Sequence, residues 1–282
     1  MDRETEAAEA PRFCQQHEAM NHIFPERLSK WIGSQRPEMD TVGLSASSVY
    51  LFENMVLKVS RSGSESQGEA AMLRWLHGKL PVPKMFEFFS QEGTDYLLME
   101  RLPGKMSCSQ DYLKDPGALV QKLAGSLKLW WSLDPLDCPV DQCLDAKLRT
   151  AKHNIETGIA TEENTEPDTY GPNGFQSPGH LLTWLNNNRP EEDLCVTHGD
   201  FCLQNLFFDG DSLSGFLDLS RSGVSDRWQD IALCWRSIRD NLSGRYARDP
   251  SAQHYEDLLF DYLDIPKDPV KLRYYLLLDE LF

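Results

Sequence analysis

The segment Thr197-His198-Gly199-Asp200-Phe201-Cys202-Leu203-Gln204-Asn205, with Asp218 thirteen residues beyond its Asn, constrains this chain more than any other. Between Asn205 and Asp218 lie two β-rich runs, 206–208 and 215–219, around Asp209-Gly210-Asp211-Ser212, a strong hairpin turn signal. A hairpin there returns Asp218 to the neighbourhood of Asn205. The amide oxygen of an Asn and the carboxylate of an Asp are hard ligands of the kind Mg²⁺ takes. An Asp five residues ahead of that Asn can orient a hydroxyl and accept its proton. Any one of these residues alone is an ordinary turn former; the pattern is not.

The same order of Asp, Asn and second Asp is the one by which protein kinases place an acceptor hydroxyl and magnesium at a γ-phosphate. Other parts appear upstream in the matching order. Lys58 sits inside the apolar run Val56-Leu57-Lys58-Val59, where a lysine is costly unless its ammonium is paired. Glu69, at the start of the next expected helix, is the candidate partner, with Glu65 second. Ahead of the first strand, Gly43-Leu44-Ser45-Ala46-Ser47-Ser48 is small and polar, so its backbone N–H groups can approach phosphates. It is neither a GxGxxG loop nor a Walker A loop. His198 reads as a structural partner of the Asp218 segment, and Asp230 as a brace for the catalytic loop. Cys195, Cys202 and Cys234 read as small buried hydrophobes.

Composition narrows the partner. The 282 residues carry 28 Lys and Arg against 44 Asp and Glu, a formal charge of −16. That balance argues against a nucleic-acid binder, whose affinity rests on basic contacts to phosphate, and favours cationic or neutral partners. No apolar run reaches the roughly 18 residues of a membrane span. The acidic N-terminus lacks the parts of a signal peptide, and the seven cysteines form no CxxC pair, so a reducing cytoplasm is the expected location. Strand-like runs at 49–52, 56–59, 85–89 and 96–99, with a helix at 69–80, precede a break at Leu102-Pro103-Gly104. Helices are expected beyond it at 117–133, 180–187, 228–240, 255–263 and 271–281, with a polar loop over 161–179. A short helix at 22–32 is expected ahead of the strands. The reading is α+β and bilobal: a flexible tail over 1–20, a small antiparallel-sheet lobe over 21–101 and a larger, mainly helical lobe over 102–282.

Taken together, these residues resemble the aminoglycoside phosphotransferases, above all the 3′-phosphotransferases, which have a protein-kinase-like fold. The resemblance runs from about residue 43 to the end. Its narrower marks are 79–84 (KLPVPK), 214–223 (SGFLDLSRSG), 226–232 (DRWQDIA), 234–239 (CWRSIR) and the ending 274–282 (YYLLLDELF). It implies phosphorylation of an aminoglycoside hydroxyl, the 3′-hydroxyl first, with ATP and Mg²⁺. By the family pattern Asp200 is the base or hydroxyl-orienting group, and Asn205 and Asp218 hold Mg²⁺. Lys58, supported by Glu69, holds the α- and β-phosphates, while Ser45, Ala46 and Ser47 lie over the β- and γ-phosphates. The link through Met99, Glu100 and Leu102 takes adenine. Arg221, Arg236, Asp240, Asp279, Glu280 and the carboxylate of Phe282 shape the aminoglycoside site. The acidic insert with Glu162, Glu163, Glu166 and Asp168 faces the amines of a cationic substrate. Val56 departs from near relatives, which place an aromatic ring on adenine there. The chain is expected to act as a monomer or weak dimer, without nucleic acid or membrane. Two other readings remain: a kinase of the same fold for another small amine or sugar alcohol, and a nucleotide-binding relative without catalysis.

Overall fold

A two-residue period sorts the side chains of the first lobe. The computed structural model describes residues 24–39, 47–163, 165–243 and 250–282. A short helix α1 (Ser29–Ile32) precedes β1 (Glu38–Met39), β2 (Ser48–Leu51) and β3 (Met55–Arg61). Helix α2 (Ser64–Leu76) follows, then β4 (Met85–Gln91) and β5 (Thr94–Glu100). The five strands form one sheet in the order β1-β2-β3-β5-β4, antiparallel throughout. Met55 and Leu57 of β3 enter an apolar cluster with Leu28, Ile32, Phe52, Phe89 and Leu98. Alternation therefore turns Val56 and Lys58 to the opposite face, where Val56 packs with Met72, Leu73, Leu97 and Met99.

Helix α2 begins five residues before the expected start and ends four before the expected end. Its N-cap Gly63 has no capping side chain of its own. Buried Asp95 of β5 supplies the cap instead: its carboxylate accepts from Ser62 Oγ at 2.7 Å, from Gly63 N at 3.3 Å and from Ser66 Oγ. A cap delivered across 32 residues is invisible to a local reading.

The second lobe runs through β6 (Lys105–Met106), α3 (Gln110–Leu113), α4 (Pro116–Trp131), α5 (Leu144–Glu156), α6 (Pro178–Asn187) and β7 (Leu194–Thr197). It continues through β8 (Leu206–Asp209), β9 (Ser212–Phe216), β10 (Gly223–Asp226), α7 (Trp228–Ser243), α8 (Pro250–Leu263) and α9 (Pro269–Asp279). Pro at the first helical turn and an Asp cap start both α4 and α9: Asp115 accepts from Ala118 N, and Asp268 from Val270 N and Lys271 N. Buried Val120, Leu123, Leu127 and Trp130 of α4 form the core with Val196, Phe201, Phe216, Ile231 and Leu259. Strands β6, β8 and β9 form one small sheet, and β7 and β10 pair as another. The architecture is α+β and bilobal, a five-stranded antiparallel sheet followed by a mainly helical lobe.

Helix α5 was not expected. Its buried positions Leu144, Leu148 and Ala151 follow helical spacing, but buried Lys147 and Asn154 interrupt the apolar stripe. The strand expected over 215–219 ends at Phe216. Beyond it, Leu217 donates its N–H to Asn205 O at 2.8 Å, and its carbonyl accepts from His198. The expected tail 1–20 lies outside the described residues, as do Ser45 and Ala46. Among the described residues no helix is long and apolar enough to cross a membrane.

Candidate active site

One ammonium group bridges the two lobes, which also share an apolar cluster. Lys58 Nζ stands 2.9 Å from Glu69 Oε2 of α2 and 3.1 Å from Asp218 Oδ1. Burial opposes the charge on Lys58, but Glu69 and Asp218 outweigh it and leave the lysine pKa raised. Asp218 feels the converse: burial pushes its carboxyl up, and Lys58 holds it below its ordinary value. Asp218 has φ +56°, a left-handed conformation that Asp adopts more readily than most residues. Glu65, the second candidate for Lys58, is exposed and takes no part.

The 198–205 loop is held from both ends. Asp230 of α7 accepts from His198 N and Gly199 N, each at 2.7 Å. Asp200 N donates to His198 Nδ1 at 3.2 Å, so Nε2 carries the ring proton and donates it to Leu217 O at 2.9 Å. The buried imidazole thus ties the Asp200 loop to the turn before Asp218, and His198 and Asp230 serve as structural supports. Gly199 has φ +83°, and a Cβ there would stand 1.8 Å from Arg221 O. Only glycine fits that crossing.

Both oxygens of Asp200 are engaged. Asn205 Nδ2 donates to Asp200 Oδ2 at 3.1 Å and to Asp200 O at 2.9 Å. Cys202 Sγ lies 3.0 Å from Oδ1. This corrects the reading of Cys202 as a plain hydrophobe: burial, then the Asp200 charge, keeps it a thiol, which can only donate here. Cys195 and Cys234 are buried as expected. Because the Asn205 amide nitrogen is fixed on Asp200, its Oδ1 points away from it. Among the described residues neither Asn205 Oδ1 nor Asp218 Oδ2 accepts a hydrogen bond. Two free hard oxygens suit Mg²⁺, which keeps several waters and takes its remaining ligands from phosphates. No group of three His, Cys, Asp or Glu side chains able to hold a metal occurs among the described residues.

A second charged cluster, half-buried, gathers around residues 279–282. Asp279 binds Arg221 Nη2 at 2.5 Å and also binds Arg236. Burial opposes the Asp279 charge, yet the two guanidiniums hold its carboxyl well below the usual range. Arg221 lies 4.8 Å from the ring of Phe282, and Asn154 Nδ2 donates to Leu281 O at 2.9 Å. Glu280 Oε1 accepts from Glu166 N at 3.0 Å, and burial lifts the Glu280 carboxyl to about 7.

Of the acidic insert, Glu162 and Glu163 are exposed, and Asp168 lies 3.5 Å from Arg273. Glu166 differs from expectation: it is buried, with its carboxylate on Arg239, which also binds Asp240 at 2.9 Å. Its charge is answered within the protein rather than facing open space. Met99 is buried on β5 beside Val56, while Glu100 is exposed and pairs with the Lys84 backbone; Leu102 follows, half-buried. Ser47 forms the bend before β2. Sequence reasoning missed Lys147, fully buried on α5 within 5.6 Å of the Phe282 ring. An isolated lysine in an unrecognised helix left no signal.

Known proteins share sequence and fold with this chain. The model of the phosphotransferase enzyme family matches residues 41–262. An aminoglycoside 3′-phosphotransferase of Enterococcus faecalis is 37% identical over 277 residues, covering 94% of this chain and 100% of its own. One from Niallia circulans is 35% identical over 92% of this chain and 97% of its own. Among solved structures, an aminoglycoside-3′-phosphotransferase of type VIII superposes with a TM-score of 0.74 at 28% identity, over 87% of this chain and 94% of that one. An aminoglycoside phosphotransferase from Streptomyces rimosus, in complex with ADP and streptomycin, shares the fold at 21% identity and a TM-score of 0.73, over 90% and 95% of the two chains.

Proposed function

We propose a role for each of these side chains from one premise: the chain belongs to the phosphotransferase enzyme family. It transfers the γ-phosphoryl group of ATP to a hydroxyl of an aminoglycoside, the 3′-hydroxyl, and so inactivates the antibiotic. The observation that carries this reading is the Asp200 carboxylate, fixed by Asn205 and Cys202 beside the Lys58–Glu69–Asp218 cluster. Asp200 orients the acceptor hydroxyl in line with the γ-phosphate and takes its proton. Lys58, aimed by Glu69, neutralises the α- and β-phosphates. Asn205 and Asp218 would hold magnesium, which would neutralise phosphate charge. Such a site works by positioning and charge more than by covalent chemistry.

Ser47, at the bend before β2, is assigned to the distal phosphates, and the backbone through Met99, Glu100 and Leu102 takes adenine. The acceptor lies against Arg221, Arg236, Asp240, Asp279, Glu280 and Phe282. The open carboxylates of Glu162 and Glu163 draw its ammonium groups, and Glu166 holds Arg239, which in turn binds Asp240. The test is ADP release with ATP, Mg²⁺ and kanamycin or neomycin. Turnover that depends on the antibiotic is expected. Asp200→Asn is expected to abolish it, by a factor of about 10² or more, while ATP still binds. Undiminished turnover in that variant contradicts the assignment of Asp200. ATP binding without antibiotic-dependent turnover contradicts the substrate.

A further inference from the structure

We propose that Ser107 and Ser237 are positioning residues for Asn205: they fix the turn that carries it and so set how tightly the site holds a magnesium–nucleotide complex. The inference rests on the reading of Asn205 and Asp218 as magnesium ligands given above. Asn205 ends a single 3-10 turn, Leu203–Asn205. Its side-chain amide nitrogen is spent on Asp200 O and Oδ2, so the backbone of the turn decides where its Oδ1 stands. Two buried hydroxyls grip that backbone at Leu203. Ser237 Oγ of α7 accepts from Leu203 N at 3.0 Å, and Ser107 Oγ, just past β6, donates to Leu203 O at 2.7 Å. Ser107 N also donates to Leu206 O at 2.8 Å, so this one serine holds the residues on either side of Gln204 and Asn205. Ser107 and Leu203 are fully buried, and Ser237 nearly so.

The two hydroxyls do different work. Burying a hydroxyl is costly unless it is bonded, and both are bonded to the same residue of the turn. Leu203 O already accepts from Leu206 N within the turn, so Ser107 adds a second donor to a carbonyl with two lone pairs. Ser237 instead supplies the acceptor for the buried Leu203 N–H. It is itself tied down by Asn241, one turn on in α7, whose Nδ2 donates to Ser237 O at 2.8 Å. From the other side, Leu217 N donates to Asn205 O at 2.8 Å. Asp200 has separate supports, because Asp230 binds His198 N and Gly199 N. Loosening Leu203 therefore shifts Asn205 relative to Asp218 before it disturbs the start of the catalytic loop. Magnesium tolerates such a shift poorly, because it demands near-ideal octahedral geometry. Groups that orient a metal ligand from behind set metal affinity almost as the ligand does.

The experiment measures ADP affinity by calorimetry, in EDTA and with saturating Mg²⁺, for the unmodified enzyme, Ser107→Ala and Ser237→Ala. The EDTA value reports the fold, the adenine link and Lys58. The gain on adding Mg²⁺ reports the metal ligands. The unmodified enzyme is expected to bind ADP more tightly with Mg²⁺. Ser107→Ala should leave the EDTA value unchanged and cut that gain about fivefold. Ser237→Ala should cut it further, because it also leaves the buried Leu203 N–H without its acceptor. In turnover assays the Mg²⁺ concentration giving half the maximal rate should rise in both variants, with KM for the aminoglycoside unchanged. A Ser107→Ala variant that keeps the full gain, or that loses ADP affinity equally in EDTA and in Mg²⁺, overturns the proposal. If Ser107→Ala does not bind ADP in EDTA, Ser107→Cys, with its weaker donor, carries the same comparison. No gain from Mg²⁺ in the unmodified enzyme overturns the magnesium reading of Asn205 and Asp218, and this proposal with it.

Discussion

The Asp200 carboxylate is bounded by two unlike donors, the Asn205 amide and the Cys202 thiol. Removing the thiol frees one oxygen to rotate away from the acceptor. One hydrogen bond of this kind contributes about 1 kcal/mol, so Cys202→Ala should lower kcat about fivefold with KM values unchanged. Cys202→Ser should recover most of the loss, and an alanine variant with unaltered kcat would remove Cys202 from the account. Glu280 carries a pH dependence. Burial raises its carboxyl to about 7, so it is protonated below that pH and an anion above it. The anion is the form that holds an ammonium group. KM for a cationic acceptor should therefore fall as pH rises through about 7, and Glu280→Gln should lose that component. Parallel profiles for the two enzymes would sink the assignment.

The elements behave as their packing, more than their propensities, dictates. The β7–β10 pair spans Leu194–Thr197 and Gly223–Asp226, and just beyond it Gly199 crosses the carbonyl of Arg221. Gly199→Ala must break that crossing in addition to straining φ, so it should destabilise the fold by at least about 2 kcal/mol in urea unfolding and abolish turnover. A change within about 0.5 kcal/mol would show that the loop has room to move. The same elements show what could be read in advance. Lys58 and Glu69 were legible, because an apolar strand cannot leave a lysine unpaired and the following helix offered a carboxylate. The hairpin joining Asn205 to Asp218 was legible from its turn. Helix α5 was not, because Lys147 and Asn154 break its apolar stripe, and their contacts, Phe282 and Leu281, lie more than a hundred residues along the chain. The start of α2 was not, because its cap is Asp95. Cys202 and Glu166 were misjudged alike: their partners, Asp200 and Arg239, act through side-chain geometry that residue type does not encode.

Across the whole molecule, one sheet lobe and one helical lobe touch where Lys58 reaches Asp218. The charge of −16 acquires a local meaning there. Buried carboxylates such as Asp230 and Asp279 are answered by backbone N–H groups and arginines. Exposed ones such as Glu162 and Glu163 are those proposed to attract a cation. The cations Lys58, Arg221, Arg236 and Lys147 are each buried or half-buried within this anionic frame. That arrangement suits a substrate with many ammonium groups and one phosphorylated hydroxyl. The most direct measurement is the identity of the product: mass spectrometry and ³¹P–¹H NMR of kanamycin incubated with the enzyme, ATP and Mg²⁺. The account predicts a single added phosphoryl group, with phosphorus coupled to the proton on the 3′-carbon. Unmodified kanamycin recovered from an enzyme that binds ATP would contradict it.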